Sequence, residues 1–286
     1  MQNILLAGAT GYLGGFILKK LIENGYSVRV VARNPDKLRN IDHQKFKVFK
    51  AEITQPESLN NCCKDIDTVI STVGITRQRD GLTYMDVDYQ ANMILLKEAK
   101  QHQVRKFIFV SVLNGDKLKH LKICEAKEKF VNALTQSGFD YCIIRPNGFF
   151  SDMAEFFQMA VKGRIYLFGN GQLKANPIHG EDLANIIVAS INSAENEINA
   201  GGPQTLTQYQ IAETAFTIIG KKVKITYIPG WISKTILALV RTFTNSKFYG
   251  PIEFFMTVLS IDMVAPEYGT HTLKEFFTDL HNGSKP

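Results

Sequence analysis

Six short runs rich in β-branched and aromatic residues alternate with longer helix-patterned segments in the first half of the chain, and this rhythm restricts the fold more than any other feature. The runs are NILLAG (3–8), YSVRVVAR (26–33), FKVFKA (46–51), DTVISTVG (67–74), KFIFVSV (106–112) and FDYCIIRP (139–146). They read as strands of a buried parallel sheet. Between them, FILKKLIENG carries an apolar stripe through Ile17, Leu18, Leu21 and Ile22 and ends at Gly25. DYQANMILLKEAKQHQV carries Ala91, Ile94, Leu95 and Ala99, and EAKEKFVNALTQSG carries Ala126, Phe130, Val131 and Leu134 before stopping at Gly138. Strand, helix, strand repeated in this way predicts an α/β fold, a doubly wound parallel sheet with helices on both faces.

After Pro146 the rhythm changes. MAEFFQMAVKG, GEDLANIIVASIN and LTQYQIAETAFTIIG read as helices, RIYLFGNGQ and KVKITYIP as strands. The expected division is a core over 1–150 and a smaller C-terminal substrate lobe over 151–286, integrated with the core and not joined to it by a flexible linker. Two further apolar stretches, WISKTILALVRTF and IEFFMTVLSIDMV, are broken by Lys234, Arg241 and Asp262, and Pro251 and Pro266 bracket the second. They are expected to be core or lid helices and not membrane spans, with enough apolar surface for weak membrane association.

A net charge of +6 comes without any dense Lys/Arg block interleaved with aromatics, so no nucleic-acid partner is expected. Cys62, Cys63, Cys124 and Cys142 lack metal-ligand spacing and are read as reduced thiols. The first strand-like run begins at Asn3, which leaves no room for a basic segment and a cleavable apolar one, and the expectation is a cytoplasmic protein. The sequence carries no oligomer signal.

LAGATGYLGG sits where the first strand passes into the first helix and holds Gly8, Gly11 and Gly14. In such a unit the first glycine permits a tight turn, the second lets backbone amides approach a pyrophosphate, and the third allows close packing of helix on strand. The spacing is G-x-x-G-x-x-G and not G-x-G-x-x-G, and three glycines can also serve a plain turn. With Thr10, Tyr12 and Leu13 they form the expected dinucleotide loop. Arg33, at the end of the second strand, stands where an acidic residue would accept from the ribose of NAD, and Lys37 follows one turn later. Both suit the extra phosphate of NADPH, although an exposed strand-end arginine needs no ligand.

These segments, with AEITQPESL, VISTVG, KFIFVSVLN and YCIIRPNGFF, resemble the atypical, NmrA-like branch of the short-chain dehydrogenase/reductase superfamily, whose fold is the Rossmann sheet. The resemblance implies NADPH as cofactor, Glu52 and Ile53 on its adenine side, and Ser71, Thr72, Val73 and Gly74 along the loop after the fourth strand. RPNGFFSDM, VKGRIYLFGNGQLKANPIHGEDLA and YGTHTLKEFF are similar to segments of divinyl chlorophyllide and protochlorophyllide 8-vinyl reductases. They imply a small, conjugated, apolar substrate. NmrA-like proteins also include regulators that bind NADP(H) without reducing anything, and that alternative stays open. Pro146 and Asn147, beyond the sixth strand, are expected beside the cofactor, and Phe149 and Phe150 beside the substrate, because ligands of open α/β sheets bind at the carboxyl ends of the strands.

Reductases of the superfamily place a serine after the fifth strand and Y-x-x-x-K on the next helix, the tyrosine moving a proton and the lysine holding the ribose. Ser111 and Lys127 match the serine and the lysine and are the catalytic candidates. Ile123 occupies the tyrosine position and cannot transfer a proton. Asn114, Tyr84 and Tyr89 are the replacement donors considered. His179, in NPIHGEDLA, reads as a structural loop histidine, and the six histidines show no metal spacing, so no metal cofactor is expected.

Overall fold

The structure, a computed structural model, describes residues 2–38, 41–75 and 81–283. The chain divides into two compact units, Met1–Arg145 with Leu183–Ile198, and Pro146–Asp182 with Asn199–Pro286.

The first unit begins with β1 (Asn3–Ala7), α1 (Tyr12–Glu23), β2 (Ser27–Ala32), β3 (Lys47–Lys50) and β4 (Thr68–Ser71). A π-helical stretch, Met85–Ala91, runs into α2 (Asn92–Gln101), followed by β5 (Lys106–Val110), α3 (Lys122–Thr135) and β6 (Asp140–Pro146). The chain continues through α4 (Phe150–Val161), β7 (Ile165–Phe168), β8 (Lys174–Ala175), α5 (Gly180–Ala189) and β9 (Glu197–Ala200). Strand order in the seven-stranded sheet is β3-β2-β1-β4-β5-β6-β9. β1 pairs in parallel with β2 on one side and β4 on the other, so the order reverses between β1 and β4. The sheet is the doubly wound Rossmann type, and a crevice at the carboxyl ends of β1 and β4 is its expected ligand site.

Burial explains the apolar runs of the central strands, whereas β3, expected as a buried strand, is mostly exposed because it lies at the sheet edge. Ile4, Leu5, Leu6 and Ala7 are all fully buried because β1 is central and covered on both faces. Leu5 and Ala7 join the cluster containing Leu95, Phe107, Phe109 and Phe130, while Ile4 and Leu6 point the other way. α1 buries Leu13, Ile17, Leu18 and Leu21 at helical spacing, and Gly25, just beyond its C-cap, takes φ +75.

The second unit also holds β10 (Leu206–Thr207), α6 (Gln208–Ile218), β11 (Ile225–Ile228), α7 (Gly230–Phe243), α8 (Ser246–Val258) and α9 (Leu273–His281). β7 pairs with β11 in parallel and β8 with β10 antiparallel. Phe150, Phe157, Phe216, Phe276 and Phe277 form its core between α4, α6 and α9. Pro251, read from sequence as a bracket, instead lies inside α8, which starts earlier than the apolar stretch because the Asn245 side chain caps it by accepting from the amides of Lys247 and Phe248. Arg241 of α7 pairs with the buried Glu253 of α8, while Trp231 and Phe243 of α7 are 69% and 79% exposed. Among the described residues no helix is long and apolar enough to cross a membrane, and Cys62, Cys63, Cys124 and Cys142 are all unpaired and buried.

Candidate cofactor site

The three glycines of the β1–α1 loop have different reasons to be glycine. Gly8 has φ +95, and a Cβ there would come 2.3 Å from Thr72 Oγ1. A Cβ on Gly14 would come 2.1 Å from the Gly8 carbonyl oxygen, so this glycine lets α1 close onto the turn. Gly11 has no such internal reason: its nearest contact would be the Gly8 oxygen at 3.4 Å, and it is exposed with Thr10. Glycine at 11 therefore keeps open an approach from outside the protein. Gly11 is also the N-cap of α1, with no side-chain cap and no acidic residue in the first turn, which leaves the positive end of the helix dipole for an anion. The Tyr12 ring packs edge-on to Phe16, and Leu13 turns into the core.

The loop after β4 braces this turn. The Thr72 amide and hydroxyl both donate to the Ala7 carbonyl, at 3.0 and 3.3 Å. Ser71 and Val73 face inward, and the Ser71 hydroxyl donates to Asn92 Oδ1 at 2.6 Å. The buried Asn92 amide donates in turn to the carbonyls of Val73, Val87 and Asp88, tying the loop to the π-helical stretch. Ser71 and Val73 thus shape the loop from inside. Ile53 likewise packs on the core of this unit.

Beyond β2, Arg33 is exposed and its guanidinium lies 3.5 Å from the Glu52 carboxylate, which also accepts from the Thr54 hydroxyl at 3.2 Å. Lys37 is exposed on the short turn Pro35–Leu38. Arg33 and Glu52 come together because β2 and β3 are paired in register up to Ala32 and Lys50.

Lys127 is no surface lysine. Its side chain is 12% exposed, and its ammonium sits 3.0 Å from Asp88 Oδ1, with the Val110 carbonyl at 3.4 Å and the Phe109 ring at 5.4 Å. The other Asp88 oxygen accepts from the Ile75 amide at 3.1 Å. Burial pushes the Asp88 carboxyl above its usual range, while Lys127 and that amide pull it back down. Gly74 runs against this pair, since a Cβ on it would come 2.5 Å from Asp88 Oδ1 and 2.8 Å from Lys127 Nζ. Sequence reasoning missed Asp88 and Asn92. Asp88 lies within the π segment and Asn92 directly after it, a feature frequent at functional sites.

Ser111, expected as a catalytic residue, follows β5 directly and is held among charged partners. It is buried, donates to Glu128 Oε1 at 3.0 Å and lies 3.5 Å from Arg145. Arg145 binds Glu128 through both terminal nitrogens, at 2.6 and 3.0 Å, and donates from Nε to Glu197 at 2.9 Å. The Ser111 hydroxyl is thus engaged by the Arg145–Glu128 pair. Ile123 is buried at the tyrosine position, Tyr84 is buried, and Tyr89 packs against the core cluster.

In the second unit the Asn147 side chain is used internally: its amide donates to Asn176 Oδ1 and the Met263 carbonyl, at 2.7 and 2.6 Å. Pro146 beside it is buried. Phe150, expected against substrate, is 2% exposed and packs 5.5 Å from Phe276, because α4 turns it into the core. Phe149 is half-buried at the N-cap of α4, with its amide donating to Asp152. His179 stacks on His271, a contact invisible in the spacing of the histidines, and with Glu181 these two rings form a cluster of metal-ligand type.

The sequence matches the NAD(P)H-binding family over residues 8–194. A chloroplastic divinyl chlorophyllide a 8-vinyl-reductase of Cucumis sativus is 29% identical over 316 residues, spanning 96% of this chain and 75% of that protein. The photosystem II assembly factor Ycf39 of Cyanophora paradoxa is 32% identical over 152 residues, 53% of this chain and 47% of that one. Among solved structures, the NADPH complex of the Escherichia coli quinone oxidoreductase QOR2 superposes with a TM-score of 0.74 over 98% of this chain and 100% of that one. At 17% identity this likeness shows the fold alone.

Proposed function

Since the chain belongs to the NAD(P)H-binding family, we propose that it is an NADPH-dependent reductase of a conjugated, apolar small molecule, with the vinyl group of a divinyl tetrapyrrole as the most concrete substrate. The observation that carries the cofactor half is Gly11, a glycine with open space and no packing reason, at an uncapped helix N-terminus where the strand order reverses. Amides of the loop would hold the pyrophosphate, and Arg33 and Lys37 the extra phosphate of NADPH.

NADPH, when bound, supplies a hydride. The chain's own contribution centres on Lys127. Its ammonium has three donors and two oxygen partners, Asp88 and the Val110 carbonyl, and so can take one more acceptor beside Gly74. In this reading Lys127 holds the nicotinamide ribose, and Asp88 fixes the lysine's position. With Ile123 in place of tyrosine, the proton comes from Lys127 or from water. The likeness to the vinyl reductase along 96% of the chain supports the substrate class. Trp231, Phe243 and Phe248, all exposed, support weak membrane contact as a way to reach a lipophilic substrate. Flotation with anionic liposomes should carry the wild type, and a Trp231→Ala, Phe243→Ala variant should stay behind.

A second reading is favoured by Ile123 and by the likeness to an assembly factor: a protein that binds NADP(H) and performs no reduction. NADPH and NADH titrations, followed by NADPH oxidation with divinyl chlorophyllide, quinones and enones as acceptors, separate the two. The reductase reading expects NADPH to bind more tightly than NADH and a divinyl acceptor to gain two hydrogens. Tight NADPH binding with no turnover on any acceptor would overturn it in favour of the binder.

A further inference from the structure

The fold of the second unit brings His179, before α5, against His271, before α9. The imidazole rings stack with centroids 4.3 Å apart and planes 26° from parallel. Glu181 Oε2 lies 3.7 Å from His271 Nε2, and one ligand atom from each of His179, Glu181 and His271 falls within 4.8 Å of the others. All three are partly exposed, so an ion can enter.

A fourth residue prepares this cluster. Asp182 is buried, and its Oδ1 lies 2.9 Å from His271 Nδ1. Its Oδ2 accepts from the amides of Thr270 and His271, at 3.2 and 3.1 Å. Gly269, at φ +80, presses so closely on Asp182 that a Cβ would come 2.1 Å from the carboxyl carbon. The carboxylate is therefore fixed, and in the tautomer whose Nδ1–H donates to Asp182 the Nε2 lone pair of His271 is left on the side of Glu181. A cation placed between this lone pair and the Glu181 carboxylate would satisfy both groups. Carboxylate, histidine, metal is the usual order in which such a ring is oriented.

We propose that His179, Glu181 and His271 form a binding site for a divalent transition metal, best suited to zinc, with Asp182 as the positioning carboxylate. Two imidazoles and one carboxylate are ligands zinc accepts, and three protein ligands leave a fourth position for water or another donor. Zinc bonds of about 2.0–2.1 Å bring tetrahedral ligand atoms to roughly 3.3 Å from one another. The partly exposed Glu181 and His179 side chains reach this by turning toward Nε2 of His271, which Asp182 holds in place. The site lies wholly within the second unit and stands independently of the NADPH reading.

The test uses the full chain stripped of metal with a chelator. Cobalt(II) titration should give the visible absorption of a tetrahedral site, saturating at one ion per chain, and zinc should displace it. Glu181→Gln, at a partly exposed position that leaves the fold intact, and His271→Ala should each weaken zinc binding at least tenfold by calorimetry. Asp182→Asn should weaken it by about 10–100-fold. Zinc should raise the thermal midpoint of the wild type and not that of Glu181→Gln. Absence of saturable binding at one ion per chain overturns the proposal, as does zinc affinity unchanged in Glu181→Gln.

Discussion

Lys127 and Glu128 are consecutive on α3, and a rotation of roughly 100° between neighbouring residues sends them to two polar clusters of opposite character. Glu128 meets Arg145 through both oxygens and Ser111 through one, with side-chain exposures of 4% and 6% for the pair. Each charged group there already has a partner within the protein. Lys127 meets Asp88 and one carbonyl and lies beside the exposed Gly74. Burial of charge is common to both clusters, so burial alone does not mark a site. The difference lies in whether the protein's own groups saturate the charge and whether open backbone runs past it.

The largest expected effect tests the saturated side. Arg145→Ala leaves Glu128 buried without its cation and should cost about 3–5 kcal/mol of stability in urea denaturation, while folded protein keeps its NADPH affinity. Loss of NADPH binding without loss of stability would break the contrast.

Lys127→Met tests the other side through pH. The folded Asp88 carboxyl already titrates above its usual range because it is buried, with Lys127 opposing that rise. A raised carboxylate value means that the folded state binds more protons than the unfolded one, so its contribution to stability falls as pH rises from the unfolded value through the folded one and is flat above. Without Lys127 the folded value climbs further and the loss continues to higher pH. The variant should match wild type below about pH 4 and fall behind by about 1–3 kcal/mol at neutral pH. Adding Asp88→Asn should abolish this pH dependence. A gap independent of pH would show that the lysine acts through packing and not through Asp88.

Gly11→Ala is a smaller change on the open side. It should alter stability by less than about 1 kcal/mol, since a Cβ there meets nothing closer than 3.4 Å. It should weaken NADPH at least tenfold, or about 1.4 kcal/mol. An alanine variant that binds NADPH like wild type would move the cofactor away from this loop.

What could be read from the sequence followed the same division. Strand runs such as NILLAG were legible because a central parallel strand is apolar on both faces, and α1 and α3 because their stripes repeat with helical period. Lys127 was legible only through the resemblance, as the lysine of a Y-x-x-x-K pattern whose tyrosine is replaced by Ile123. Ser111 and Asn147 look like site residues in sequence, but their partners Glu128, Arg145, Asn176 and Met263 come from other segments, and only the fold shows that both side chains are used internally. Asp88 was hidden because the π-helical stretch Met85–Ala91 breaks the period that would have placed it. That Phe150 is buried in the core of the second unit was not legible, because aromatic composition cannot say which way a helix N-terminus faces.

Arg33 gives the smallest effect and the finest test. Its side chain is 62% exposed, so the fold does not depend on it, yet Glu52 stands 3.5 Å away and competes for the guanidinium. If that pair were the arginine's purpose, Arg33→Ala would cost at most about 1 kcal/mol of stability, the range of an exposed ion pair, and would leave both dinucleotides bound as before. If the arginine serves the extra phosphate, the variant should keep its NADH affinity and lose about fivefold in NADPH affinity, near 1 kcal/mol. That loss should shrink as salt is raised, because an exposed charge contact is screened within about 8 Å at physiological ionic strength. Calorimetric Kd values for both dinucleotides at two salt concentrations decide it. An equal loss for NADH and NADPH would mean that Arg33 touches a part the two cofactors share, and any preference for NADPH would have to come from elsewhere in the loop.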